Sequence, residues 1–292
     1  MKLLIATLLS VIAPIAQAQS LFQSPDRDGF NQMLASYSKA DIACIPDCKV
    51  DNKKKKYIVS VLSLSDAYNS LEVPRNCKFA YDTLTDLWRN GVNDAGYELS
   101  RMYYHGVCTE VDLAKSKAYL LKTANDGYVP SQKLLGKSYF RDEIQSKLYR
   151  KDLDKSAFWL SKSAAAGDAE SASIISVLYK KGLSFEKDAQ KSFYWSYKAF
   201  EAKYGGGPGP YSYRLADYYE NGYGVDKDLI QSYKFYDLTG TAGMDGKERV
   251  SKNMTDAEIE EAIKQSRAWQ EEHNTFVPSY YGLEHQSDGS YR

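Results

Sequence analysis

The sequence predicts an all-α fold: about five helix–turn–helix repeats in series, closed by a C-terminal capping helix. Three observations predict it. A frame of Leu, Tyr, Gly, Asp, Ser and aromatic residues recurs along the chain. Its apolar members stand at i and i+4, the spacing of one helix face. A capping box then opens a last amphipathic segment. Composition agrees: 43% of the 292 residues are hydrophobic and 26% charged, as in a globular chain. There are 25 Tyr against 10 Phe and 4 Trp. So many phenols suit a thin, repetitive fold in which each hydroxyl reaches water or a partner.

From the N-terminus, Met1-Lys2 precedes an apolar run from Leu3 to Ile15, then Ala16-Gln17-Ala18 before Gln19. A positive end, an apolar core and an A-x-A site predict a signal peptide over 1–18 and an exported chain starting near Gln19. The run is shorter than the roughly 20 apolar residues a membrane span needs. No later stretch reads as a membrane span. Residues 19–56 form an N-terminal cysteine-containing segment, in which 26–40 fit one helix. Lys53-Lys54-Lys55-Lys56 follows and reads as a solvated loop, or as a contact for an acidic partner or envelope surface.

Residues 57–243 carry the repeat. Its clearest copy holds Leu215, Tyr219, Gly222, Asp228, Ser232, Phe235 and Gly243. Upstream copies hold Leu99, Tyr103, Gly106, Asp112, Ser116, Tyr119, Ala124 and Gly127; then Leu135, Tyr139, Asp152, Ser156, Trp159, Ala164 and Gly167; then Ile175, Tyr179, Gly182, Asp188, Ser192 and Trp195. A degenerate copy precedes them at Leu64, Tyr68, Asn76, Ala80, Trp88 and Gly91. The Leu–Tyr pair gives the first helix an apolar seam. The Gly after it suits a left-handed helix end. The Asp, or Asn76, caps the second helix by accepting amide hydrogens of its first turn, worth roughly 1 kcal/mol each. Capping and stacking thus account for the acids and aromatics without catalysis.

This frame resembles the Sel1-like repeat family, relatives of the tetratricopeptide repeats; Gly222-Tyr-Gly-Val-Asp-Lys-Asp228 carries the inter-helix signature. The resemblance implies a right-handed α-solenoid. Two departures mark irregular junctions. Asp142 replaces the loop Gly, and Ala202-Lys203-Tyr204 replaces an Ala-x-x-Gly ending before the Gly205–Gly209 segment, which reads as a flexible linker. Beyond the array, 244–273 form the capping helix. Thr255 and Glu258 make its box, and Ile259, Ala262, Ile263, Ser266 and Trp269 fall mostly on one face. Residues 274–292 read as a flexible tail.

Export makes Cys44, Cys48, Cys77 and Cys108 disulfide candidates. Cys77 follows the cap Asn76 and Cys108 lies in the next inter-helix loop, which puts both on one edge of adjacent hairpins. Cys44 with Cys48 is the remaining pair.

No catalytic, cofactor or metal motif emerges. Ser36-Tyr-Ser-Lys39 and Ser184-Phe-Glu-Lys187 match a Ser-x-x-Lys tetrad but lack its companion motifs. A formal net charge of zero gives no pull toward nucleic acid. What remains is surface: a groove along the first helices, with Tyr97, Arg101 and Tyr104, Lys133 and Lys137, and Tyr213, Arg214 and Asp217 as candidate partner-binding residues. The expectation is a monomeric periplasmic protein-binding scaffold without cofactor. It would act as an envelope adaptor or regulator, or as an immunity-type inhibitor of an exported effector enzyme. The alternative is a cell-envelope enzyme or a β-lactam- or peptidoglycan-binding protein of the cysteine-rich repeat type.

Overall fold

The computed structural model describes residues 20–22, 34–35, 38, 52–64, 72–275 and 277. The signal peptide, Cys44, Cys48, Tyr68, Ser36, Lys39, most of 26–40 and most of the tail lie outside the described residues. The chain divides into two compact units, with a boundary in the sequence between Tyr119 and Leu120. The first contains α1 (Lys53–Leu62), α2 (Cys77–Arg89), α3 (Asn93–His105) and the start of α4 (Leu113–Asn125). The second contains the end of α4, then α5 (Val129–Phe140), α6 (Leu153–Ala165), α7 (Ala169–Lys181), α8 (Ala189–Phe200), α9 (Pro210–Asn221) and α10 (Leu229–Asp237). A 3₁₀ turn (Gly240–Gly243), α11 (Met244–Ser251) and α12 (Asp256–Glu272) complete it. The fold is all-α.

The repeat frame explains how each hairpin is pinned. Asp152, Asp188 and Asp228 accept from the backbone N–H three residues on, at 3.0, 2.8 and 3.0 Å. Asp112 and Asn76 do the same at 2.9 and 3.0 Å. The side-chain and then the backbone hydrogen bond from Lys155 hold the Asp152 carboxyl below the usual carboxylate range, and the backbone bonds from Lys115 and Lys191 do the same for Asp112 and Asp188. The amide of each capping Asp donates back to the Tyr of the first helix. Examples are Asp112 to the Tyr103 carbonyl at 2.9 Å and Asp228 to the Tyr219 carbonyl at 3.0 Å. One residue therefore ties both helices of a hairpin together. Gly106, Gly182 and Gly222 end their helices at φ 72°, 67° and 66°, the left-handed region in which Gly alone is unstrained.

Ser four residues after the cap is buried in every full copy and braces the hairpin from inside. Ser156 donates to the Gly136 carbonyl at 2.8 Å, Ser192 to that of Ser176 at 2.9 Å and Ser232 to that of Ala216 at 3.0 Å. In the first unit the direction reverses, with the Ser100 hydroxyl donating to the Ser116 carbonyl at 2.8 Å. The facing position is small (Ser100, Gly136, Ser176, Ala216) because the helices touch there. A Cβ on Gly136 would meet Leu160 Cγ at 2.5 Å.

Four expectations change. The first hairpin is not framed on Leu64 and Tyr68: α1 ends at Leu62, and the Asn76 amide donates to the Ser63 carbonyl. Val59 and Ser63 thus hold the Leu and Tyr positions, with Val59 buried. Lys53–Lys56 is no loop but the first turn of α1, capped by Asn52, whose side chain accepts from Lys54 and Lys55. The Gly205–Gly209 segment is an ordered turn. Tyr204 pairs in parallel with the Gly167–Ala169 backbone at 3.0 Å on both sides, and the Gly207 amide donates to the Phe200 carbonyl at 2.7 Å. The C-terminal cap has two α-helices rather than one. Its second, α12, opens with the expected Thr255–Glu258 box and packs on α10, and Ala262, Ile259, Ile263 and Trp269 join the apolar cluster that also holds Phe200, Leu215 and Phe235.

Candidate functional site

In the first unit the residues expected to line a groove are placed differently from one another. Arg101 is half exposed and pairs with Glu98 on its own helix at 2.9 Å. Tyr97 is partly exposed. Tyr104 is only 8% exposed, with its ring edge-on to His105, so it is a packing residue rather than a surface anchor. At the same helix, the Leu21 amide donates to the buried Asp94 carboxylate at 2.8 Å, and Phe22 lies against Tyr57.

In the second unit the charged candidates are spent on one another's helices. Lys133 on α5 reaches Asp168 at 2.9 Å and Glu170 at 3.2 Å, and Lys137 reaches Glu170 at 2.6 Å. Burial raises the Glu170 carboxyl, but the hydrogen bond from Lys137 and the charge of Lys133 outweigh it, and the group titrates below its usual value. Arg214 on α9 donates to the Ser173 carbonyl and hydroxyl on α7, at 2.9 and 3.0 Å. Asp217 lies 3.6 Å from Lys180. These four side chains are struts between successive first helices, because long side chains at equal register reach the next hairpin. Tyr213, 44% exposed and edge-on to Tyr236, is the most exposed residue of that row in this unit.

Of the cysteines, Cys77 and Cys108 are joined, with Cα atoms 5.0 Å apart and a sequence separation of 31. This is the pair that the hairpin edges bring together. Ser184 of the Ser-x-x-Lys tetrad donates to the Asp154 carboxylate at 2.8 Å, a bond between neighbouring hairpins. No group of three potential metal ligands occurs among the described residues.

Sequence reasoning passed over the second helices. Phe158 on α6 and Tyr194 on α8 are 53% and 52% exposed. Both stand six residues after their capping Asp, a position the repeat frame defines and which could have been read off it. Each is edge-on to the Trp that follows it, Trp159 at 5.0 Å and Trp195 at 5.4 Å. Each also lies beneath a lysine one turn on, Lys162 at 4.9 Å and Lys198 at 5.8 Å.

The Sel1 repeat matches residues 94–128, 130–168, 169–204 and 211–244. The chitin synthase regulator SKT5 of Saccharomyces cerevisiae is 28% identical over 162 residues, covering 54% of this chain. The chain spans only 22% of that protein's length. A solved Sel1 repeat protein from Oxalobacter formigenes superposes with a TM-score of 0.58 at 16% identity, over 83% of this chain and 99% of that one. A protective antigen of uropathogenic Escherichia coli displaying an SLR fold gives a TM-score of 0.39 at 16% identity, over 76% of this chain and 61% of its own. The four matches fall in register on the hairpins α3–α4, α5–α6, α7–α8 and α9–α10, and the chain belongs to the Sel1 repeat family.

Proposed function

We propose that this chain is an exported, non-catalytic scaffold of the cell envelope that holds and regulates another exported protein. Sel1 repeats mark a protein-interaction scaffold. The observation that carries the reading is how the repeat uses its reactive groups. The capping Asp side chains accept from backbone amides, the buried Ser hydroxyls donate to backbone carbonyls, Lys137 pairs with Glu170 of the next hairpin, and the exposed aromatics lie on open helix faces. A regulator among its relatives favours the adaptor role over inhibition of an effector. The Cys77–Cys108 bond supports export, since such bonds persist in oxidising compartments. Ser184 has a structural partner in Asp154, which favours a structural role for that serine.

The test is fractionation followed by capture. The tagged chain should be recovered from the periplasm in oxidised form and should retain a periplasmic protein with which it reassembles from purified components. An oxidised chain confined to the cytoplasm, or no such complex, would overturn the proposal. If the retained protein were a toxic effector whose activity the chain abolishes, the inhibitor role would replace the regulatory one.

A further inference from the structure

We infer that the first-helix surface of the first unit is a binding site for an extended, apolar peptide, and that the chain's own residues 20–22 fill it as a detachable latch. The inference deepens the scaffold reading and rests on it. Residues 20–22 belong to no helix or strand, yet they reach two first helices. The Leu21 amide donates to the Asp94 carboxylate of α3 at 2.8 Å, and the Phe22 ring lies 5.7 Å from that of Tyr57 on α1. Leu21 is buried, as are Asp94 and Tyr57. The Ser20 hydroxyl donates to the Phe22 carbonyl at 3.0 Å, which bends the segment at Leu21. Burial pushes the Tyr57 hydroxyl well above its usual range; the charges of Glu98 and Asp94 push the same way, and Arg101 opposes them. These α3 groups therefore stand around the Tyr57 end of the segment.

The repeat shows why a main chain is received here. Asp94 stands five residues before the core Leu99, a position that holds Pro130, Glu170 and Pro210 in the later copies. Glu170 is held by Lys133 and Lys137, which stand two residues either side of Leu135 on the preceding first helix. On α1, with Val59 in the Leu position, those two places hold Tyr57 and Val61. The contact that lysines make in the second unit is thus made in the first by the backbone N–H of residue 21. Such a bond reads no side chain, so specificity falls to the Leu and aromatic positions. Asp94, Tyr97, Glu98 and Arg101 follow the spacing of one face of α3. The segment therefore occupies the face of Tyr97 and Arg101, residues expected to bind a partner. Cleavage after Ala18 would leave Leu21 third from the end of the exported chain, and chain ends are where local opening concentrates. A partner segment that presents an apolar and an aromatic side chain in extended form competes for the same face.

The experiment uses the full oxidised chain and a fluorescent peptide of residues 19–24, Gln-Ser-Leu-Phe-Gln-Ser, followed to millimolar concentration. L21S/F22S should bind it about tenfold or more tightly than the wild type, whose tethered segment competes at an effective concentration of millimolar order. A peptide with Ser for Leu and Phe should not bind, and D94A added to L21S/F22S should weaken binding about tenfold. Equal binding by L21S/F22S and the wild type, or binding indifferent to D94A, would overturn the inference. Loss of helix in L21S/F22S by circular dichroism would make the segment a permanent strut, which overturns it too. In the wild type, hydrogen exchange at the Leu21 amide should run ahead of exchange in α3. Exchange of Leu21 only together with α3 would overturn the latch without recourse to a variant. A natural partner retained equally by L21S/F22S and the wild type would sink the latch while leaving the scaffold reading intact.

Discussion

Two residues after the loop glycine, the repeat places a left-handed residue against the preceding hairpin, and it fills that position with three different chemistries. Cys108 (φ 57°) forms the disulfide to Cys77, Ser184 (φ 62°) donates to Asp154, and Gly224 (φ 73°) lies flat on the Ala189 backbone. Each fastens one hairpin to the start of the previous second helix. A Cβ on Gly224 would come within 2.0 Å of the Ala189 carbonyl oxygen. Gly224→Ala should therefore destabilise by more than about 1 kcal/mol, measured by urea unfolding. The buried serines make a second prediction. Ser192 bonds the Ser176 carbonyl and the Tyr218 hydroxyl, both at 2.9 Å, and Ser192→Ala should cost about 1–3 kcal/mol by leaving buried groups unpaired. An unchanged urea midpoint would contradict it. The capping Asp and the loop Gly were legible in the sequence because their partners lie within one turn. The roles of Ser192 and Gly224 were not, because their partners lie on other helices.

At the level of elements, the last repeat is closed by a buried polar lock rather than by apolar stacking alone. Lys247 on α11 pairs with Asp237 of α10 at 2.7 Å, both about 5% exposed, and Ser266 of α12 donates to the other Asp237 oxygen at 2.7 Å. Lys247→Met alone should cost about 3–5 kcal/mol by stranding the carboxylate, and Lys247→Met with Asp237→Leu should recover much of it. Equal losses for the single and double variants in thermal unfolding would refute the lock. Glu220 of α9 gives the pH-sensitive joint. Arg249 of α11 donates to both its oxygens at 2.7 and 2.8 Å, and Tyr236 donates at 2.7 Å. The Arg249 bond holds the Glu220 carboxyl below the usual range, with burial opposing it and Tyr236 assisting. A depressed carboxyl contributes stability that is present above its unfolded value, roughly pH 4.3, and is lost as pH falls through the folded value. Glu220→Gln should accordingly lower the melting temperature at pH 7 and have a smaller effect at strongly acidic pH. Helix periodicity and the Thr255 box made α12 readable in advance. The register of α1 was not, since the apolar run Tyr57–Leu64 supports two frames, and only the Asn76–Ser63 bond chooses between them.

Across the whole molecule, fold and function differ in how far the sequence carries. A recurrent frame states the architecture many times over, so single departures such as Asp142 do not obscure it. Phe158 and Tyr194 are exposed aromatics in two copies only, at a position where the other copies hold Asp82, Ala118 and Lys234. The first-helix charges also look different once the chain is folded: Lys133, Lys137, Arg214 and Asp217 look like free surface charges in a linear sequence and pair with neighbouring hairpins once these stack. The disulfide acts at this scale. Closing a sequence separation of 31 between Cys77 and Cys108 should stabilise the chain by about 3–4 kcal/mol, read as the loss of unfolding free energy in Cys77→Ser/Cys108→Ser. The central claim is that this chain works by holding another exported protein and not by chemistry. Its most direct test is light scattering of the oxidised chain reconstituted with the periplasmic protein it captures, in wild type and Ser184→Ala. A saturable complex of fixed stoichiometry, equal in both forms, is the result expected. A partner that is turned over rather than held, or a covalent adduct that disappears with Ser184→Ala, would contradict it.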